Sequence, residues 1–387
     1  MLRVAYLVPS LQPSSGWRSH ARGFIQAISQ LVEPVLFVSA EDQPLARDLF
    51  PHHQCITLPT VQQASLRTRG GIAGIMASQR AIRGQAPVKV DLVHSLEAYP
   101  TGLIGHWLAC RLERPHVLTG HGTYAILPHR SLLDRFAYKR VLKRAAALYP
   151  VSHGTAHLVQ KYFPDAVANL RIQPILNGND FHKTVPRQEA LLRQASEVPT
   201  LLSVGPIKPR KGQHISLRAF ARVKKILPAT RYWIVGDINE QQKYYQELVQ
   251  FIAENQIKDV EFLGRISQER LQQCYQQATV FVLTPQIVKL RFEGFGLVYL
   301  EAGAFGLPVV GTRAGGVADA IQNGKTGFLV EPDDIDGVAK AIERLLTEPA
   351  LRRRMGLANR DWAETLTWER NAEEQYQDYQ HVIRHAS

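Results

Sequence analysis

Glu293 and Glu301 stand eight residues apart in the run Arg291-Phe-Glu-Gly-Phe-Gly-Leu-Val-Tyr-Leu-Glu301. Glycines flank the first carboxylate, and an apolar, helix-forming run carries the second. Eight residues is slightly more than two helical turns, so both carboxylates can share one face if a helix begins close to Glu293. Gly294 and Gly296 would leave backbone N–H groups open at the start of that helix, where anions bind well. Two acceptors for hydroxyls beside an anion cradle suit a phosphorylated sugar.

A second cluster is cationic. Leu201-Leu-Ser-Val-Gly-Pro-Ile-Lys-Pro-Arg-Lys-Gly212 runs from a strand into a turn carrying Lys208, Arg210 and Lys211, then into a helix. Cations beside a helix N-terminus make a diphosphate clamp, although the same residues also read as a solvated basic turn. Gly236, Gly264 and the Gly315-Gly316 pair also end strand candidates, where glycine permits close ligand approach or simply a turn. A third feature is Thr119-Gly-His121-Gly, whose glycine-flanked histidine sits at a strand end and points more readily into a cleft than into a core. His94, also at a strand end, is a weaker second candidate. The loop Pro9–Trp17, with Gly16, suits ligand contact but lacks G-x-G-x-x-G, which counts against a dehydrogenase. Cys55, Cys110 and Cys274 match no metal or redox spacing.

Positioning these residues requires alternating strands and helices. Short apolar runs at Val4–Val8, Pro34–Ser39, Leu92–Ser95, His116–Thr119, Leu148–Val151 and Arg171–Ile175 read as strands separated by helices. Thr200–Val204, Arg231–Val235, Val260–Leu263, Val280–Leu283, Pro308–Thr312 and Gly327–Val330 repeat the scheme. The pattern predicts an α/β chain of two Rossmann-like, doubly wound parallel-sheet domains facing a central cleft. The polar, proline-flanked stretch Thr184–Pro199 marks the break, with domains expected at 1–190 and 191–366 and a tail helix in 367–387.

At 387 residues and 45% hydrophobic content the chain can build two large cores. The N-terminus reads as a first buried strand rather than a signal-peptide core, and no apolar run is long enough to span a bilayer. The expected location is cytoplasmic. Residues 1–196 hold 22 Lys and Arg against 11 Asp and Glu, whereas 197–387 hold 24 against 23, so nearly all the net charge of +12 lies in the first half. The stretch Ser131–Leu148 carries Arg135, Lys139, Arg140, Lys143 and Arg144 on one half of a helical wheel, with Leu132 and Phe136 among them. A basic face with embedded apolar groups suits the anionic inner surface of a membrane; a solvated face is the plainer reading. No nucleic-acid recognition motif accompanies the charge.

Taken together, these residues resemble the retaining glycosyltransferases of the GT-B fold, family 4, also called glycosyl transferases group 1. Phe292-Glu293 through Glu301-Ala302 with Gly306-Leu-Pro-Val-Val carries the resemblance furthest, followed by Gly315-Gly316, Gly327-Phe-Leu-Val-Glu-Pro332 and Gly205 to Gly212. Asn177-Gly-Asn-Asp180 and Trp368 match the family's interdomain and tail patterns. The resemblance implies a nucleotide-diphosphate sugar donor, UDP- or GDP-linked, with no bound cofactor or metal. It implies that Glu301 binds the ribose, that Glu293 contacts the donor sugar, and that Lys211 neutralises the diphosphate with the amides of Phe295, Gly296 and Leu297. His121 would hydrogen-bond a sugar hydroxyl, Gly16 would lie against the phosphates, and the tail helix would cross back to the first domain. The first domain would hold a glycolipid, lipid-linked or polysaccharide-precursor acceptor. Pro206 stands where the family often has an arginine, leaving Lys208 or Arg210 as replacements, and Ser15-Gly16 replaces a frequent Gly-Gly pair. A sugar-nucleotide epimerase and a non-catalytic partner of the same fold are the alternatives.

Overall fold

A computed structural model describes residues 1–12, 16–59, 66, 68–84, 88–191 and 197–385. Two compact units emerge, one made of Met1–Gly178 with Thr367–Ser387 and one of Asn179–Leu366. Residues 179–190, expected in the first domain, therefore belong to the second unit. The cause is a set of local hydrogen bonds. Asn179 donates through Nδ2 to the carbonyls of Ala363 and Leu366 at 2.9 and 2.6 Å. Buried Arg360 donates to the carbonyls of His182 and Val185, each at 3.0 Å.

The first unit holds a seven-stranded parallel sheet of β1 (Leu2–Leu7), β2 (Val32–Ser39), β3 (Gln54–Leu58), β4 (Leu92–Ser95), β5 (His116–Gly120), β6 (Ala147–Pro150) and β7 (Arg171–Ile172), in the order β3-β2-β1-β4-β5-β6-β7. β3 is absent from the expected strands. Its apolar positions are few, and the polar Pro51-His-His-Gln54 before it hides the period. The order reverses between β1 and β4, leaving a crevice at their carboxyl ends.

The second unit holds β8 (Thr200–Val204), β9 (Arg231–Val235), β10 (Val260–Gly264), β11 (Val280–Val282), β12 (Val309–Thr312) and β13 (Gly327–Val330), all parallel, in the order β10-β9-β8-β11-β12-β13. Here the order reverses between β8 and β11. The strands that precede the cationic turn and the Glu293 segment are thus neighbours in the sheet.

The last helix, Trp368–His385, lies along the helix Gly16–Ile28 of the first unit. Trp368 is buried, and Gly23 makes room for it: a Cβ on Gly23 would sit 2.3 Å from the indole nitrogen. Further along, the Tyr379 hydroxyl meets His94 Nδ1 at 2.6 Å, and Asp378 accepts from Tyr149 at 2.9 Å and from Arg171 Nε at 2.8 Å. No described helix is long and apolar enough to cross a membrane.

Removing the Trp368 side chain leaves a cavity that Gly23 and Gly178, the two glycines against it, cannot close. Trp368→Ala should lower stability by about 3–5 kcal/mol. Thermal melting of the whole chain measures this, and an unchanged melting temperature would contradict the packing described.

Candidate functional site

In the second unit the chemistry gathers where β8 and β11 part. Beyond β8 the chain turns through Gly205, at φ +150°, and enters the short turn Pro209–Lys211. Gly212 follows at φ +72°, where a Cβ would fall 1.6 Å from the carbonyl oxygen of Thr284, just past β11. The Thr284 hydroxyl in turn donates to the Gly212 carbonyl at 2.7 Å. Only glycine lets these two strand ends touch, and their contact fixes the cationic turn against the loop that carries Glu293.

Glu293 Oε2 accepts from Lys211 Nζ at 2.6 Å and from Arg210 Nη1 at 3.2 Å. The Lys211 side chain is 7% exposed and that of Glu293 16%. Burial alone would raise the Glu293 carboxyl, but Lys211 and Arg210 together outweigh it and hold the group below its ordinary value. Lys208, by contrast, is exposed, and its charge is felt at Asp237. Of the two cations that could replace an arginine at Pro206, Arg210 is the one brought to the glutamate.

The helix carrying Glu301 is Leu297–Ala304, with Gly296 at its N-cap. Glu293 lies before it, so the two carboxylates do not share a helical face as the spacing suggested. Gly296 adopts φ +98°, and a Cβ there would meet the Tyr299 ring at 2.7 Å. That left-handed residue breaks any continuation of the helix toward Glu293 and leaves the amides of Gly296 and Leu297, with Phe295 just before them, at an amino end that offers no intrahelical acceptor. Gly316 N donates to the Glu293 carbonyl at 2.8 Å, so the Gly315-Gly316 turn supports the Glu293 backbone from the far side. Glu301 is half-buried, and burial pushes its carboxyl up to about 7 against the opposing pull of the Tyr275 hydroxyl.

In the first unit Gly16 opens the helix Gly16–Ile28, while Ser15 lies outside the described residues. His121 caps the short helix Gly122–Ile126 and is buried. Its Nε2 is 2.9 Å from the carbonyl of Leu96. A carbonyl can only accept, so Nε2 carries the proton and Nδ1 keeps a lone pair. Burial lowers the imidazole to about 4, with the Leu96 bond opposing, so the ring is neutral near pH 7. His20 packs edge-on against it at 4.5 Å between ring centroids and contacts Asn177 Oδ1 through Nδ1 at 2.9 Å. His94 is not a ligand candidate: it is fully buried, with Nδ1 on Tyr379 and Nε2 on Thr119. A largely apolar pocket at the carboxyl ends of β1 to β4, walled by Val8, Phe37, Leu58 and Ile104, includes Glu97, the residue after the Leu96 that holds His121.

The basic helix is shorter than expected, Leu132–Leu142, because β6 begins at Ala147. Leu132, Leu133 and Phe136 are 76, 62 and 74% exposed. Arg140, Lys143 and Arg144 are exposed, Arg135 is half-buried, and Lys139 pairs with Asp165 at 3.6 Å. The sequence pattern missed Leu133, Tyr275, Thr284 and His20. Thr284 could have been found as a polar residue ending a buried strand; the others carry no spacing signal.

Residues 186–362 match the family described as Glycosyl transferases group 1, and residues 15–183 match Glycosyltransferase Family 4. The GDP-mannose-dependent alpha-(1-6)-phosphatidylinositol monomannoside mannosyltransferase of Mycolicibacterium smegmatis is 30% identical over 277 residues, covering 69% of this chain and 70% of that one. An uncharacterised glycosyltransferase of Methanocaldococcus jannaschii is 27% identical over 282 residues, covering 73% of this chain and 72% of that one. Among solved structures, Anabaena HepE in complex with UDP-glucose superposes with a TM-score of 0.71 at 21% identity, covering 98% of this chain and 99% of that one.

The Glu301 carboxyl has a stability consequence of definite sign. Its folded value of about 7 lies above the ordinary 4.5, so between those values the folded chain keeps a proton that the unfolded chain releases. Stability should therefore fall as pH rises from about 4.5 to about 7. Glu301→Gln removes this dependence, and parallel melting curves for both proteins across that range would contradict it.

Proposed function

The chain belongs to the group 1 glycosyl transferases, family 4, with the GT-B fold, and we propose that it moves a sugar, with retention at the anomeric carbon, from a UDP- or GDP-sugar to a glycolipid, lipid-linked or polysaccharide-precursor acceptor. The observation that carries the donor reading is the cluster of Lys211, Arg210 and Glu293 beside the open amino end of the Leu297–Ala304 helix. Two cations against one carboxylate leave a positive charge in excess, next to backbone donors, which is what a diphosphate requires. The relative that uses GDP-mannose and the neighbour crystallised with UDP-glucose support a nucleotide sugar of either base.

The roles then follow from the chemistry. Breaking the bond between the anomeric carbon and the diphosphate leaves an oxocarbenium-like sugar and an anion. Lys211, Arg210 and the amides of Phe295, Gly296 and Leu297 stabilise the negative charge as it grows. Arg210 fills the place of the arginine displaced by Pro206. Glu301 accepts the ribose hydroxyls, Glu293 accepts from the sugar, and the Nδ1 lone pair of His121 accepts a sugar hydroxyl. Gly16 lies against the phosphates. The first unit holds the acceptor. The exposed apolar and basic residues of Leu132–Leu142 support a resting place on the inner face of an anionic membrane.

Two outcomes test this reading. Glu301→Ala should weaken donor binding roughly 100-fold, the loss of two hydrogen bonds to the carboxyl group at about 1.5 kcal/mol each; calorimetry with UDP-glucose and GDP-mannose measures it, and near-normal turnover in the variant would sink the assignment. Arg210→Ala should weaken donor binding while Lys208→Ala leaves it nearly unchanged. Equal effects of the two would refute the role given to Arg210.

A further inference from the structure

We propose that the first unit meets a membrane not with one helix but with a layer of three, whose apolar residues gather at the same end as the crevice between β1 and β4. The inference rests on the membrane reading above and adds to it an extent and an orientation. The helices Arg69–Arg83, Thr101–Leu112 and Leu132–Leu142 pack side by side, the middle one touching both others. The Arg83 guanidinium lies over the Trp107 ring at 5.4 Å and that of Arg111 at 6.0 Å. On the other side, His106 feels the charges of Arg140 and Arg144. The three helices thus share one continuous band of cations around a tryptophan.

The exposed apolar residues of this layer lie toward one end of it. Each helix connects parallel strands, so its first turns lie at the strands' carboxyl ends and its last turns at the opposite ends. Ile72 and Met76, 41 and 49% exposed, occupy the first half of Arg69–Arg83. Leu132, Leu133 and Phe136 occupy the first half of Leu132–Leu142. Most of the exposed cations, Arg80, Arg83, Arg111, Arg140, Lys143 and Arg144, cluster at or just beyond the last turns, while Arg69 and Arg130 flank the apolar end. Four helical residues separate the nearest members of the two sets, Met76 from Arg80 and Phe136 from Arg140, roughly 6 Å along the axis.

A bilayer offers the same two levels in the same order. Apolar side chains enter the acyl boundary, and arginines with an interfacial tryptophan sit among the phosphates above it. A nucleic acid would pair with the cations but leave the exposed Ile72, Met76, Leu132, Leu133 and Phe136 without a partner. The layer fits an anionic bilayer approached with the carboxyl ends of the strands toward it. The crevice where the strand order reverses between β1 and β4 lies at those same ends, so a lipid-linked acceptor would reach it without leaving the surface.

Flotation with vesicles of phosphatidylcholine, alone or mixed with phosphatidylglycerol, tests extent. The full chain should float only with the mixed vesicles. I72S/M76S on the first helix and R83E/R111E across the first two should each cut the bound fraction more than about tenfold, as L132S/F136S does. All these side chains are exposed or half-buried, so melting temperature should not move; a variant that does melt early is replaced by I72Q/M76Q or R83Q/R111Q. If I72S/M76S and R83E/R111E float as wild type while L132S/F136S does not, a single helix docks and the inference fails, although the membrane reading stands. If wild type does not float, both fail. Orientation is read by an environment-sensitive fluorophore. On Cys110, exposed at the basic end, with Cys55→Ser, it should shift little on mixed vesicles. On Leu133→Cys, with Cys55 and Cys110 both changed to Ser, it should shift strongly to the blue. The reverse order would overturn the orientation.

Discussion

The ammonium of Lys211 held on the carboxylate of Glu293 is the interaction on which the second unit's site depends. Neither charge would stay where it is alone. A partly buried carboxylate without a cation would climb toward protonation, and a buried ammonium without a carboxylate would be an uncompensated charge. Their pairing is possible only because two segments far apart in sequence are driven together. Adjacent strands bring Gly212 to the Thr284 carbonyl, and the left-handed Gly296 turns the glutamate loop away from the following helix. Arg210 then supplies the second cation, so the cluster keeps a positive excess without exposing an unpaired charge in a dry place.

The first unit works by a different rule, in which burial keeps its groups neutral. His20, His94, His116 and His121 are all buried, and burial lowers each of them. Their value lies in directional lone pairs and N–H groups rather than charge. His121 shows the benefit: one nitrogen is spent on Leu96, and the other keeps a defined acceptor. Such a ring cannot serve as a strong base near neutral pH, but it can orient a hydroxyl. Protonating the set would force several charges into one core, so the first unit loses stability as pH falls below the ordinary histidine range. Glu301 in the second unit has the opposite sign.

Much of this was legible in the sequence. The alternation of short apolar runs with helical stretches gave both sheets, because strands buried on two faces are nearly continuous in hydrophobic residues. Lys211, Glu293 and Glu301 stood out by charge in glycine-rich or apolar surroundings. The failures have physical causes. β3 sits toward the sheet edge and is only partly buried, so its pattern is weak. The shared helical face expected for Glu293 and Glu301 ignored what a glycine at positive φ does to a helix start. The division at Gly178 rather than near 190 is set by buried hydrogen bonds of Asn179 and Arg360 to partners nearly two hundred residues apart along the chain. No local window holds such information.

The placement of Trp368 bears on how the chain is made. Gly23 and Gly178 are shaped for an indole that leaves the ribosome only after the whole second unit. Domains usually mature in the order of synthesis, yet here the unit begun first must be finished last. Until residues 367–385 emerge, the nascent first unit carries an open seam along the helix Gly16–Ile28, flanked by Phe24 and Tyr6. That seam is apolar and stays uncovered until the final helix arrives.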